Sequence, residues 1–192
     1  MEINKTVSNP MLVGAMQLIK ADGPTPDPAH QALFMEQLDE AELLAPAEIK
    51  AEVDGEGNRI PGGKTAVRFP VLTASDGKRF FVVFTDNQTV EQARKIDGPS
   101  KLPEEFFRDT VTVRFVDAAR MILTPNPDGT ENPTFGIVIN PFMENIVIPK
   151  TAVLAIAQKK AELALAAREK IREREEKGGK VLQFPGGSPK KD

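Results

Sequence analysis

The chain has 192 residues, a formal net charge of −3, one histidine and no cysteine. This length suits one domain of ordinary size, and the negative charge supplies no overall positive field that would attract nucleic acid or an anionic membrane. The lack of cysteine excludes disulfides, thiolate metal sites and cysteine nucleophiles.

The sequence carries no targeting or membrane-spanning pattern. It contains no apolar run of about 20 residues, the length needed to cross a bilayer, and residues 1–5 are not followed by the hydrophobic core of a signal peptide. We therefore expect a cytoplasmic protein.

Two helices are predicted near the N-terminus. A polar capping residue stands directly before proline at Asn9-Pro10 and again at Asp27-Pro28, and proline suits the first helical position because its missing N–H needs no partner there. Apolar residues then recur at helical spacing over residues 10–21 and 28–39. Each helix should bury one face.

The middle of the chain favours strands. An apolar stretch at 42–53 predicts a strand region and the glycines of 54–64 predict a mobile loop. Asp76-Gly77 lies between two apolar runs within 65–85, which is typical of a hairpin with a two-residue type I′ turn that would place Val71 opposite Val82. Residues 80–84 are apolar on both faces, so this strand should be central and covered by helices.

Shorter elements follow. We predict a helix between Thr85 and Gly98, a change from strand to helix near Phe115, and two strands at 135–140 and 145–148 that form a second hairpin. The expected fold is mixed α/β (α+β), with a single mixed sheet that contains the central hairpin, packed by the N-terminal helices and a long C-terminal helix.

The C-terminal helix is predicted over 151–177, where strong helix formers occur without Gly or Pro. Its apolar residues predict a buried face up to about Ala167, after which charged residues dominate. The resulting domain plan is an α/β domain at 1–160, a charged helical extension at 161–179 and a disordered tail at 180–192.

Common catalytic and ligand-binding motifs are missing. His30 is the only histidine, and the serines fall in predicted caps, turns or the tail, so no Ser-His triad is expected and His30 should face solvent. The stretch 54–58 begins like a calcium loop, but Arg59 stands where glycine is needed. We expect no metal and no cofactor, while catalysis by Asp, Glu or Lys stays open.

Two short segments at predicted strand ends are the candidate binding residues, because polar groups beside helix starts can bind a peptide or an anion. The alternative is ordinary turn chemistry, in which Asp86 or Asn87 caps a helix and Asn140-Pro141 forms a turn. The candidate residues are Phe84, Thr85, Asp86, Asn87, Asn140, Pro141 and Phe142.

Four segments together resemble the SseB N-terminal-domain family, named for enhanced serine sensitivity. They are the helix that begins at Asn9-Pro10, the sequence FFVVFTD at 80–86, the helix after it, and GIVINPF at 136–142. The resemblance covers residues 5 to 160 and implies a small bacterial cytoplasmic α/β domain. It supplies no catalytic residues, and this chain has a charged helix where some relatives have a second domain.

Two functions remain open from the sequence. The leading one is a non-enzymatic protein-interaction or regulatory module, with the C-terminal helix as a surface for a protein partner or for self-association. The rival is a protein that binds a small amino-acid-related metabolite, or an enzyme that uses only Asp, Glu and Lys. We expect no nucleic acid and no membrane as partner.

Overall fold

The computed structural model describes residues 2–52, 54–56, 60, 63, 65–98 and 101–178. The predicted loop at 54–64 lies partly outside these residues, and the predicted tail at 180–192 lies wholly outside them. The elements, in chain order, are α1 Pro10–Asp22, α2 Pro28–Glu40, β1 Glu42–Ala51, β2 Thr65–Arg68, β3 Val71–Thr73, β4 Arg79–Val83, α3 Asn87–Arg94, a 3-10 helix Glu104–Phe107, β5 Asp109–Arg114, α4 Phe115–Leu123, β6 Thr134–Ile139, β7 Ile146–Pro149 and α5 Lys150–Gly178.

The mixed α/β class is confirmed, but the strands form two sheets where one was expected. One sheet has the order β2-β1-β5 and is antiparallel, and the other has the order β3-β4-β6-β7 with β4 and β6 parallel. Among the described residues, the two sheets are joined by one isolated bridge, in which Leu44 and Phe84 exchange backbone hydrogen bonds of 2.9 and 2.8 Å. Pairing stops there because the chain leaves β4 and turns into α3.

The hairpin at Asp76-Gly77 is confirmed, but its register and its first strand differ from the prediction. Val71 pairs with Phe81 instead of Val82, because the loop has three residues: the Gly77 N–H donates to the Ala74 carbonyl, and the Ala74 N–H donates to the Lys78 carbonyl. Gly77 has φ of 81°, the left-handed conformation that closes this kind of loop. The apolar run before it is also divided, since β2 pairs with β1.

The two N-terminal helices are confirmed. Asp27 caps α2 by accepting a hydrogen bond of 2.7 Å from the Ala29 N–H, whereas the side chain of Asn9 does not cap α1. His30 was expected to face solvent, but its side chain is only 34% exposed and its Nδ1 lies 2.8 Å from Asp22 Oδ2. This contact ties the end of α1 to the start of α2.

The strand β4 lies at the centre of its sheet, as its apolar sequence predicted. Its last four residues are buried, and Phe80, Val82 and Phe84 join one core cluster with Val90 and Ala93 of α3. The change from strand to helix falls at Phe115, as predicted. The domain core therefore surrounds β4.

The predicted hairpin of β6 and β7 is confirmed, and it depends on one glycine. A Cβ atom added at Gly136 would lie 2.3 Å from the Ile148 carbonyl oxygen and 2.9 Å from Pro149 Cα. Backbone atoms cannot give way as a flexible side chain can, so a larger residue at 136 would push β7 off β6.

The described chain divides into two units after Ala155. In the first unit, Val153 is fully buried; in the second, Leu163 and Leu165 are 62% and 59% exposed. The predicted buried face extending to Ala167 is therefore wrong, because leucines and alanines in this helix reflect helix propensity more than packing. No helix among the described residues has the length and apolar character needed to span a membrane.

Candidate functional site

Both predicted segments lie at one edge of the four-stranded sheet. Since β4 and β6 run parallel with Val83 opposite Ile139, their carboxyl ends meet at the same place. Thr85 follows the first strand and Asn140 follows the second, and both are fully buried. Crevices beside the carboxyl ends of parallel strands are common ligand sites in open sheets.

The Asn140 side chain joins these two strand ends. Its Oδ1 accepts from the Thr85 N–H at 2.9 Å, and its Nδ2 donates to Thr85 Oγ1 at 2.8 Å and to Glu144 Oε2 at 2.9 Å. Its backbone N–H donates to the Val83 carbonyl at 3.0 Å. The amide of Asn140 therefore takes the place of the strand pairing that ends here.

Asp86 and Asn87 have the capping and linking roles that ordinary turn chemistry predicts. Asp86 Oδ1 accepts from the Thr89 N–H at 2.8 Å and so caps α3, while its Oδ2 accepts from the Thr85 hydroxyl at 2.8 Å. Asn87 Oδ1 accepts from the Val7 N–H at 2.8 Å. These hydrogen bonds anchor α3 and the N-terminal segment to the strand end.

Asn9 belongs to this site although the sequence indicated only a helix cap. Its Nδ2 donates to the backbone carbonyls of Thr85 and Glu42, each at 2.7 Å, and so connects the start of α1 to both sheets. The only signal in the sequence is its position before Pro10, which a cap explains equally well.

The turn between β6 and β7 has an unusual backbone. Asn140, Phe142 and Asn145 have φ of 48°, 72° and 54°. Asparagine tolerates the left-handed conformation, but a bulky residue such as phenylalanine adopts it rarely and at an energetic cost. The Asn140 carbonyl holds the turn by accepting from the N–H groups of Met143 and Asn145 at 3.2 and 3.0 Å. Phe142 is 38% exposed on this turn.

The seven predicted residues do not share one cleft. Asp86 and Asn87 line a depression of about 430 Å³ beside the start of α1, whereas Pro141 and Phe142 line another of about 530 Å³. Thr85 and Asn140 are buried. The structure brings the two segments into contact but gives each a separate surface.

The depression at Phe142 combines apolar and charged walls. Leu72 and Met143 contribute apolar surface, while Lys20 and Glu144 bring opposite charges. The Lys20 ammonium donates to the Met143 carbonyl at 3.3 Å. Sequence reasoning missed Lys20, Leu72 and Glu144, because their proximity depends on how the turn folds back over β3.

Within the described ranges, no three His, Asp or Glu side chains come close enough together to hold a metal ion. The polar groups at this edge hydrogen-bond mainly to one another and to the backbone.

These features define a class, namely a small mixed α/β domain whose parallel strand ends are joined by buried side-chain hydrogen bonds. A family model described as the SseB protein N-terminal domain matches residues 15–155 of this chain. The chain belongs to that family, and the match includes both segments of the candidate site. No curated protein and no solved structure matches the chain.

Proposed function

We propose that this domain is a non-enzymatic interaction module of the bacterial cytoplasm, which binds a protein partner at the depression beside Phe142. The observation that carries the proposal is the conformation of Phe142: a large aromatic side chain, 38% exposed, on a backbone with φ of 72°. Strained residues persist where the surrounding structure enforces them, and they concentrate at functional sites.

The apolar surface around Phe142 is suited to a protein partner. Aromatic residues in a partly apolar depression are the usual energetic anchors of protein interfaces, since they bury a large area with few rotatable bonds. Leu72 and Met143 lie beside Phe142 and extend this apolar surface, while Glu144 provides a polar rim. A partner side chain would fill the depression against Phe142.

A binding role is also favoured over catalysis by how the buried polar groups are used. The Asn140 amide makes three hydrogen bonds within the protein, and the Thr85 hydroxyl both donates and accepts. Groups engaged in this way support the turn and are poorly placed to transfer protons to a bound substrate.

Site-specific photo-crosslinking in the native host tests the proposal. A photoreactive residue at 142 should give a discrete crosslinked partner, whereas the same residue at Val116, which is 43% exposed on α4, should not. Crosslinks that are identical at both positions, or none at 142, would contradict the proposal.

Phe142→Gly supplies the matched variant. Glycine accepts a positive φ without strain, so the free energy of unfolding should stay within about 1 kcal/mol of wild type while partner binding is lost. Retention of full binding by this variant would remove Phe142 from the interface.

A second function has one observation in its favour. Lys20 and Glu144 place opposite charges around the same depression, which matches the carboxylate and ammonium groups of an amino acid. A ligand at 100 times its dissociation constant stabilises a protein by about 2.7 kcal/mol, so thermal-shift measurements with amino acids should show a rise that Lys20→Gln abolishes. No rise with any amino acid would reject this function.

A further inference from the structure

A separate depression of about 660 Å³ lies at the opposite end of β4. Three segments form it: the hairpin turn at 77–79, the loop at 131–135 that leads into β6, and the junction of β7 and α5 at 149–151. All three belong to the first unit of the chain. This volume falls within the range typical of small-molecule sites.

Hydrogen bonds hold the walls of this depression in place. Asn132 Oδ1 accepts from the Thr134 N–H and Asn132 Nδ2 donates to the Met121 carbonyl, each at 3.0 Å. Lys150 Nζ donates to the Asn132 carbonyl at 3.0 Å and to Glu131 Oε1 at 2.7 Å. A site preformed in this way loses little conformational entropy when a ligand binds.

Phe135 supplies an apolar surface inside the depression. The pairing of β4 with β6 shifts between Arg79 and Phe80, which leaves Phe135 as an extra residue on β6. Such bulges redirect a side chain and are uncommon between parallel strands. The Phe135 ring packs edge-on against Phe80 with centroids 5.5 Å apart, yet Phe135 stays 40% exposed.

Among the described residues, the charges around Phe135 leave one cation uncompensated. Lys78 Nζ lies 2.6 Å from Asp76 Oδ2 and 4.8 Å from the centre of the Phe135 ring, and Lys150 pairs with Glu131. Hydrogen bonds from Lys78 and Lys150 lower the pKa of Asp76 and of Glu131, respectively, so both acids are ionised at neutral pH. These two pairs cancel in net charge.

Arg79 is the remaining cation among the described residues that line the depression. Its side chain is exposed, and its guanidinium makes no hydrogen bond or ion pair with the described part of the chain. A guanidinium presents a planar set of donors that fits a carboxylate or a phosphate in bidentate fashion. Arg79 is therefore available to bind an anion next to the apolar surface of Phe135.

We propose that this depression binds a small organic anion, in which a carboxylate or phosphate group is joined to an aromatic or branched apolar group. The anionic group pairs with Arg79, while the ion pairs of Lys78 and Lys150 beside it are balanced in charge. The apolar group contacts the exposed part of Phe135. This site is distinct from the depression at Phe142 and does not depend on the function proposed there.

Nuclear magnetic resonance titration of the full chain tests this site with phenylacetate and phenyl phosphate as probes. Saturable shifts of the amide signals of Arg79, Phe135 and Thr151 are expected with at least one probe. Acetate and inorganic phosphate carry only the anionic group, and benzyl alcohol carries only the aromatic group. Each should bind at least about tenfold more weakly than the preferred probe, because it makes only part of the contacts. The preferred probe identifies the anionic group.

Two matched variants make the test specific. Arg79→Gln should weaken binding of the preferred probe about tenfold or more, because a charge-assisted hydrogen-bonded pair is lost. The thermal midpoint should not change, because the Arg79 side chain is exposed. Arg120→Gln changes the charge equally at a side chain 75% exposed on α4, and should bind as wild type does. Absence of saturable binding, or equal affinity in wild type and Arg79→Gln, would overturn the proposal.

Discussion

Asn140 meets two physical demands at one position. Its backbone has φ of 48°, which asparagine adopts more readily than most residues, and its buried side chain satisfies the backbone N–H of Thr85 and contacts Glu144. An unsatisfied buried N–H is costly, so this single side chain determines how the ends of β4 and β6 are joined.

Replacing Asn140 should be strongly destabilising. We expect Asn140→Ala to lower the free energy of unfolding by about 2–4 kcal/mol, from the unpaired Thr85 N–H and the left-handed backbone together. Asn140→Gly keeps the backbone conformation but loses the hydrogen bonds, so it should cost about 1 kcal/mol less. Urea denaturation measures both values, and a cost under about 1 kcal/mol for Asn140→Ala would contradict this role.

At the residue scale, the sequence predicted where the strands end but not which residues meet. The apolar runs at 80–84 and 135–140 indicated two strand ends, and the observed strands end within one residue of these positions, at Val83 and Ile139. Their contact depends on parallel pairing of β4 with β6, which no local pattern encodes because residues 84–133 lie between the two strands. The role of Asn9 was hidden for the same reason.

At the scale of elements, the link between α1 and α2 depends on Asp22. Its Oδ2 accepts from the Asp27 N–H at 3.0 Å and lies 2.8 Å from His30 Nδ1. The hydrogen bond with His30 is the main cause that lowers the pKa of Asp22 below its ordinary value, and the hydrogen bond from the Asp27 backbone is the second. The ionised carboxylate is therefore the form that stabilises the junction of the two helices.

The lowered pKa of Asp22 predicts a pH dependence of stability. Its stabilising contribution is complete well above the ordinary aspartate pKa of about 3.9, and it is lost as the pH falls through the lower pKa of the folded state. The difference in thermal midpoint between wild type and Asp22→Asn should therefore be larger at neutral pH than in acid.

A surface aspartate provides the control for this experiment. Asp97 has a side chain 91% exposed and forms a surface ion pair with Lys101, four residues further along the chain. Asp97→Asn should therefore change the thermal midpoint little at either pH. A difference in thermal midpoint between wild type and Asp22→Asn that stays constant from neutral pH into acid would show that the Asp22 carboxylate does not stabilise the junction.

The hairpin shows the limit of local sequence signals for elements. Asp-Gly is compatible with a two-residue loop and with a three-residue loop, and the two differ by one position in strand register. The structure has the three-residue loop, in which Gly77 alone has a positive φ. Packing of β4 against β6 and of Leu72 on the core selects between the two registers.

At the scale of the whole molecule, the first unit contains the buried core, and the described part of the second is a helix whose side chains are mostly exposed. Among the side chains that the structure describes, Val153 is the last fully buried one, and those from Gln158 to Glu173 are exposed. Leu163 and Leu165 thus stay accessible for the partner contact or self-association expected of this helix. The order and class of the five helices and of most strands were predictable from periodicity. The 3-10 helix, the separation of β2 from β3, the division into two sheets and the exposed leucines were not, since the last three depend on tertiary packing.

Truncation separates the contributions of the two parts of α5. A chain that ends at Lys160 should keep the thermal midpoint of the full chain within a few degrees, because the helix side chains from 161 to 173 are all exposed. A chain that ends at Pro149 loses Val153, which is fully buried, and should be less stable by about 1.5–3 kcal/mol or more. Calorimetry compares the full chain with the two truncated chains. A large loss of stability in the chain that ends at Lys160 would show that residues beyond Lys160 make stabilising contacts.

The parallel pairing of β4 with β6 also constrains synthesis of the protein on the ribosome. β4 emerges early, together with its neighbour β3. Its other neighbour, β6, emerges only after residues 84–133 have been made, and β7 follows later still. Long-range pairing of this kind forms slowly, and unpaired apolar strands are prone to aggregate. The nascent chain therefore exposes the apolar β4 until almost the whole domain has left the exit tunnel, which makes this stage the natural point for assistance by chaperones.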